Sequence, residues 1–133
     1  MPDIRRFNPE GLWCGRSSIY SHGVSVSGAG RTVYLAGQVA RDENGDTVGR
    51  GDVRVQADQV LRNLQTVLAA AGGTFKDVVK VTVYTTDLRL TPAMDEVRKR
   101  YFGDAAPAST LVEVRKLAHP DYLLEIEAVA VLP

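Results

Sequence analysis

Near its C-terminus the chain runs Leu123-Leu124-Glu125-Ile126-Glu127-Ala128-Val129-Ala130-Val131, and this alternation limits the possible folds more than any other feature. Successive side chains of a strand point to opposite faces of a sheet. Leu124, Ile126, Ala128 and Ala130 therefore share one face, which is wholly apolar and demands a core. Leu123, Glu125, Glu127, Val129 and Val131 share the other, and Leu111, Glu113 and Arg115 of the preceding segment are assigned to it as well. That face is too apolar for water alone and too charged for a dry core. Mixed character of this kind belongs to a subunit interface. The sheet is expected to pack against copies of itself, and patches that are not self-complementary close into rings.

The remaining elements fit around such a sheet. Residues 19–27 and 32–36 are rich in strand formers and flank Ser27-Gly28-Ala29-Gly30, so they read as a β-hairpin. Asn44-Gly45 marks a tight turn. Over 52–71, Val53, Ala57, Val60, Leu61, Leu64, Val67, Leu68 and Ala71 recur at three- and four-residue steps, which predicts a helix. Asp52 is its expected N-cap and Gly72-Gly73 its stop. Residues 78–86 read as a strand. Thr91-Pro92 opens a second helix that Gly103 ends, with Thr91 as cap. Two final strands cover 109–117 and 122–131. The order β-β-α-β-α-β-β predicts an α+β domain: a mixed sheet with two helices on one face. The 133 residues read as a single domain, 1–133, with 1–18 an irregular N-terminal segment.

Charge and cysteine usage narrow the function. Lys plus Arg number 16, as do Asp plus Glu, and the zero net charge argues against a nucleic-acid partner. No apolar stretch approaches the roughly 18 residues of a membrane span, and Met1-Pro2-Asp3-Ile4-Arg5-Arg6 lacks a signal peptide's apolar core. Cys14 is the one cysteine and cannot form an internal disulfide. A cytoplasmic location without membrane contact is expected. There is no CxxC or HxxxH, so no metal site is predicted.

Glu125 and Glu127 are the leading chemical candidates. They point the same way, and either serve as a base or water-positioning pair or form salt bridges with Arg115 or Lys116. Tyr20 can orient a ligand or cover a core edge. His22 and His119 would suit RNA cleavage if they met, but His119 sits beside Pro120 in an expected exposed turn. Gly28-Ala29-Gly30 does not match a dinucleotide fingerprint. Ser109 has no evident base nearby, and Cys14 has only Arg16 as a cationic neighbour.

Several short pieces, in order, carry a resemblance. They include Tyr20-Ser21-His22-Gly23-Val24, Val33-Tyr34-Leu35-Ala36-Gly37-Gln38, Gln56-Ala57, Asn63-Leu64, Ala70-Ala71-Gly72-Gly73 and Asp77-Val78-Val79-Lys80. Thr82-Val83-Tyr84, Asp87-Leu88, Pro107-Ala108, Val112-Glu113-Val114 and Glu125-Ile126-Glu127-Ala128-Val129-Ala130 continue them. Over roughly residues 17 to 132 the chain resembles the RidA/YjgF family, whose older members carry the label L-PSP endoribonuclease. The resemblance implies a chorismate-mutase-like fold, a homotrimer with clefts between subunits, and cofactor-independent hydrolysis of small enamine or imine metabolites. It implies that Tyr20 orients a ligand and that Glu125 positions the attacking water. It places the ligand also against Ala36, Gly37 and Ser109, with two departures. Ala36 stands where the family has serine, and Ser109 where the family has the arginine that grips a substrate carboxylate. Losing a bidentate, charge-assisted grip costs about 2–4 kcal/mol. Arg115 lies six residues further along, roughly 20 Å of strand, too far to substitute within one subunit.

Three expectations follow. The first is a cleft that binds, or slowly hydrolyses, a small imine, enamine or carbonyl compound without the usual carboxylate. The second is a genuine enamine/imine deaminase that uses a Glu125-positioned water. The third is a non-catalytic binding or chaperone-like module.

Overall fold

The computed structural model describes residues 2–13 and 19–133. Its elements are β1 (Asp3–Phe7), β2 (Gly23–Ser27), β3 (Arg31–Gln38), α1 (Val53–Ala70), β4 (Val78–Thr85), α2 (Thr91–Phe102), β5 (Ala108–Glu113) and β6 (Leu124–Leu132). Four strands form one mixed sheet in the order β3-β6-β4-β5, parallel between β4 and β5 and antiparallel elsewhere. Both helices pack on one face of it, as the α+β reading expected.

The helices form where local signals place them. Asp52 caps α1, its Oδ1 accepting from the Arg54 and Val55 amides at 3.1 and 3.2 Å. The apolar stripe buries Val60, Leu61, Leu64 and Leu68 completely or nearly so. Gly72 then turns the chain with φ +86°, a conformation that a Cβ would oppose. In α2 the cap is displaced by one residue: Thr91 is already helical, and its hydroxyl donates back to the Leu88 carbonyl at 2.6 Å. β6 behaves as its alternation requires. Leu124, Ile126, Ala128, Ala130 and Leu132 are buried against Met94 and Val97 of α2 and the α1 stripe.

Three expectations are corrected. First, β2 and β3 do not form a hairpin: β2 pairs antiparallel with β1, Ile4 opposite Val26 and Arg6 opposite Val24, while β3 pairs with β6. The pairing leaves room at Gly23 for the Phe7 ring, since a Cβ there would lie 2.3 Å from Phe7 Cζ. Second, the segment 1–18 is not irregular throughout, because residues 3–7 are β1. Third, Leu111 and Glu113 do not lie on the mixed face. The parallel register sets Ser109 beside Val81 and Leu111 beside Val83, both on the helix side. Leu111 packs against the core, and Glu113 Oε1 accepts from the Leu88 amide at 3.0 Å. β5 ends at Glu113, so Arg115 belongs to the following loop.

The other sheet face carries Thr32 and Tyr34 of β3, Glu125, Glu127, Val129 and Val131 of β6, and Lys80, Thr82 and Tyr84 of β4. No helix among the described residues covers it, and Tyr34 is 78% exposed.

Candidate functional site

β6 aims Glu125 at a defect in β3. The β3–β6 register runs Leu35 opposite Ala128 and then Gln38 opposite Ile126, so Ala36 and Gly37 bulge out of the ladder. Bulges re-aim local backbone and recur beside binding sites. Here the bulge brings Gly37 under the Glu125 carboxylate: a Cβ built on Gly37 would lie 2.1 Å from Glu125 Oε2. Glycine at 37 lets the carboxylate approach this closely, and its backbone angles do not demand it, because its φ is not positive. Ala36 is exposed beside it.

The two carboxylates of β6 have different surroundings. Glu127 accepts a very short hydrogen bond from the Tyr84 hydroxyl on β4. That bond, then burial, holds the Tyr84 hydroxyl above the ordinary tyrosine range. Glu125 sits opposite Tyr84 in the register, yet no hydrogen bond or ion pair to it is formed among the described residues. The expected salt bridges to Arg115 or Lys116 do not form, since both lie in the loop beyond β5. Glu125 is thus a half-buried acceptor whose capacity the described residues leave unused.

Tyr20 and Ser109 belong to the opposite edge of the sheet. Ser21 is 5% exposed and bridges to Ala108. Its amide donates to the Pro107 carbonyl at 2.9 Å and its hydroxyl to the Ala106 carbonyl at 2.7 Å. This fastening sets the half-buried Tyr20 alongside the start of β5. Tyr20 also meets the His22 ring edge-on at 5.3 Å. Ser109, half-buried on β5, accepts from Arg98 Nη2 of α2 at 3.0 Å.

The two groups of residues do not converge within one chain. Two strand spacings and three residue steps separate Glu125 from Ser109, about 14 Å between backbones. They also point to opposite faces, Glu125 with Tyr84 and Ser109 with buried Val81. A surface hollow of about 800 Å³ beside Phe75, Lys76 and Tyr101 contains none of them.

Of the other candidates, His22 stays beside Tyr20 and does not meet His119. His22 Nε2 lies 3.0 Å from the Trp13 carbonyl oxygen, whereas His119 is an exposed loop residue whose Nδ1 accepts from the Asp121 amide at 3.1 Å. Gly28 serves the turn before β3, with φ +86°. Cys14 lies outside the described residues. Among the described residues no group of three His, Cys, Asp or Glu side chains could hold a metal ion, and no helix is long and apolar enough to cross a membrane. Two participants escaped the sequence reading, Tyr84 and Arg98. The alternation of 78–86 could have placed Tyr84 on the face of Glu125. Arg98, four residues after Met94, breaks the apolar stripe of α2, which is the signal of a buried charge with a task.

Comparison with known proteins gives consistent results. The family model described as endoribonuclease L-PSP matches residues 16–132. A RutC family protein of Pyrococcus horikoshii is 43% identical over 102 residues, covering 77% of this chain and 80% of that one. The human 2-iminobutanoate/2-iminopropanoate deaminase is 37% identical over 128 residues, covering 96% and 90%. The crystal structure of YyfB of Yersinia pestis, a Rid family protein described as of unknown function, superposes with a TM-score of 0.88 at 38% identity, covering 97% and 98%.

Proposed function

We infer the activity from one premise: the chain belongs to the endoribonuclease L-PSP family, which is also the RidA/YjgF family. On that premise the protein is a homotrimer that hydrolyses small imine or enamine metabolites in clefts between subunits. The observation that carries this reading is the Glu125 carboxylate, held over Gly37 with no hydrogen-bond or ion-pair partner among the described residues. The 14 Å gap between Glu125 and Ser109 supports a shared cleft, in which one copy supplies Ala36, Gly37 and Glu125 and its neighbour Tyr20 and Ser109.

The chemistry needs little machinery. Glu125 accepts a proton from a water as the water oxygen attacks the carbon of a protonated imine. The tetrahedral amino alcohol then receives that proton on nitrogen, and as the C–N bond breaks the regenerated Glu125 carboxylate takes the hydroxyl proton, so that ammonia and a neutral carbonyl compound leave and the carboxyl releases its proton to water. Positioned acid–base catalysis of this type contributes roughly 10²–10⁴-fold. An enamine enters the same route after tautomerising to the imine. The deaminase name of the human relative makes 2-iminobutanoate the first substrate to offer.

The test is keto-acid release from 2-iminobutanoate generated in situ by a threonine dehydratase. The wild type is expected to exceed the buffer rate, and Glu125→Gln to lose about 100-fold of that gain. A wild-type rate equal to buffer at high protein concentration would overturn hydrolysis. A binding module is then the reading that remains, favoured by the single hydroxyl of Ser109 where a stronger carboxylate grip would be needed.

A further inference from the structure

Arg98 is the most deeply buried charged residue whose polar end reaches a candidate ligand contact. It is 2% exposed, on the inner face of α2 between Val97 and Phe102. Charged side chains are almost never this buried unless they are paired. Its guanidinium reaches Ser109 on the edge strand β5, where Ser21 bridges to the neighbouring Ala108. Nη2 donates to Ser109 Oγ at 3.0 Å, while Nη1 lies 3.8 Å from Asp95 Oδ1, one helical turn back.

The direction of that hydrogen bond matters. A guanidinium can only donate, so Ser109 Oγ is the acceptor, and its own proton remains available to a third group. Ser109 is half-buried, so that proton can meet a ligand at the surface. Behind it stands a charge fixed by packing. Hydrogen bonds in series polarise one another, and the effect grows where water is excluded. A ligand oxygen at Ser109 therefore experiences a hydroxyl backed by a cation, which favours an anionic oxygen over a neutral one.

We propose that Arg98 is the positioning cation of the ligand site, acting through the Ser109 hydroxyl so that the site selects small carbonyl compounds bearing a carboxylate over neutral ones. This rests on the reading that Ser109 lines the cleft. It revises what the serine at 109 means. Position 109 keeps an anion preference, delivered through one hydrogen bond from a side chain on another element.

The test compares binding of 2-oxobutanoate and 2-butanone, which differ in the carboxylate, by ligand-observed NMR titration. The wild type is expected to prefer 2-oxobutanoate by roughly tenfold or more, the weight of one charge-assisted contact. Arg98→Met and Ser109→Ala should each bring the preference to within about twofold, the double variant should add nothing further, and Arg98→Lys should recover part of it. A purely structural role of Arg98 would lower the melting temperature without touching the preference. Retention of the full preference in Ser109→Ala, or in a folded Arg98→Met, overturns the proposal, as does a wild type without preference. Turnover of 2-iminobutanoate in the same preparations keeps the two readings apart. Glu125-dependent turnover with a preference indifferent to Arg98 and Ser109 sinks only this proposal, and the expected preferences without turnover sink only the hydrolysis.

Discussion

At position 37 the space where any side chain would begin is already filled by the Glu125 carboxylate. Gly37→Ala is conformationally permitted, so its effect is steric alone. It should displace Glu125 by an ångström or more and lower turnover by roughly 10–100-fold, with the melting temperature held within a few degrees. Unchanged turnover would show that Glu125 need not lie over the bulge. Tyr84 offers a second test at this scale. Its hydroxyl is held above the usual tyrosine range by Glu127, so the folded state keeps that proton longer than the unfolded chain does. The stability this confers is complete below the unfolded value near pH 10 and is lost as pH rises through the higher folded value. Urea midpoints measured from pH 8.5 to 11 should therefore fall more steeply for wild type than for Tyr84→Phe. Parallel curves would mean that the pair does not couple to folding.

Among the elements, α1 and β6 are joined by one buried amide. Gln56 is 0% exposed and donates to the Gly49 and Asp121 carbonyls at 3.1 and 2.7 Å. Its oxygen accepts from the Leu123 amide at 2.8 Å. The chain that leads into Glu125 is thus pinned to the helix. Gln56→Leu keeps the volume but strands the Asp121 carbonyl and the Leu123 amide, while the Gly49 carbonyl keeps the Asp52 amide, and is expected to destabilise by about 2–3 kcal/mol in urea unfolding. A change below about 1 kcal/mol would mean that water satisfies those groups. Asp52→Ala, which removes two accepted hydrogen bonds at the start of α1, should cost about 1 kcal/mol.

For the whole molecule, the open sheet face and the divided site make one demand. Val129 lies at its centre, opposite Tyr34 on one side and Lys80 on the other. If three copies close over this face, sedimentation equilibrium should give three times 14.4 kDa. Val129→Asp should then yield monomers and abolish turnover, because Glu125 loses the neighbour that supplies Tyr20 and Ser109. A monomeric wild type with full turnover would refute the shared cleft.

The sequence by itself determined what local chemistry controls. The caps and period of α1, the glycine stop at Gly72 and the inward face of β6 were all legible, because each depends on residues within a few positions of one another. The candidate residues Glu125, Gly37, Tyr20 and Ser109 were legible through resemblance. Tertiary structure alone decided the pairings. Residues 3–7 carry no strand pattern of their own and become β1 because β2 lies beside them. β3 turns from its chain neighbour to β6, almost a hundred residues away, since loop closure grows only slowly with length and burial on the larger sheet outweighs it. The inward turn of Leu111, the bulge under Glu125 and the reach of Arg98 to Ser109 follow from those pairings. Alternation along a strand says which residues share a face, and only the partner strand says what that face meets.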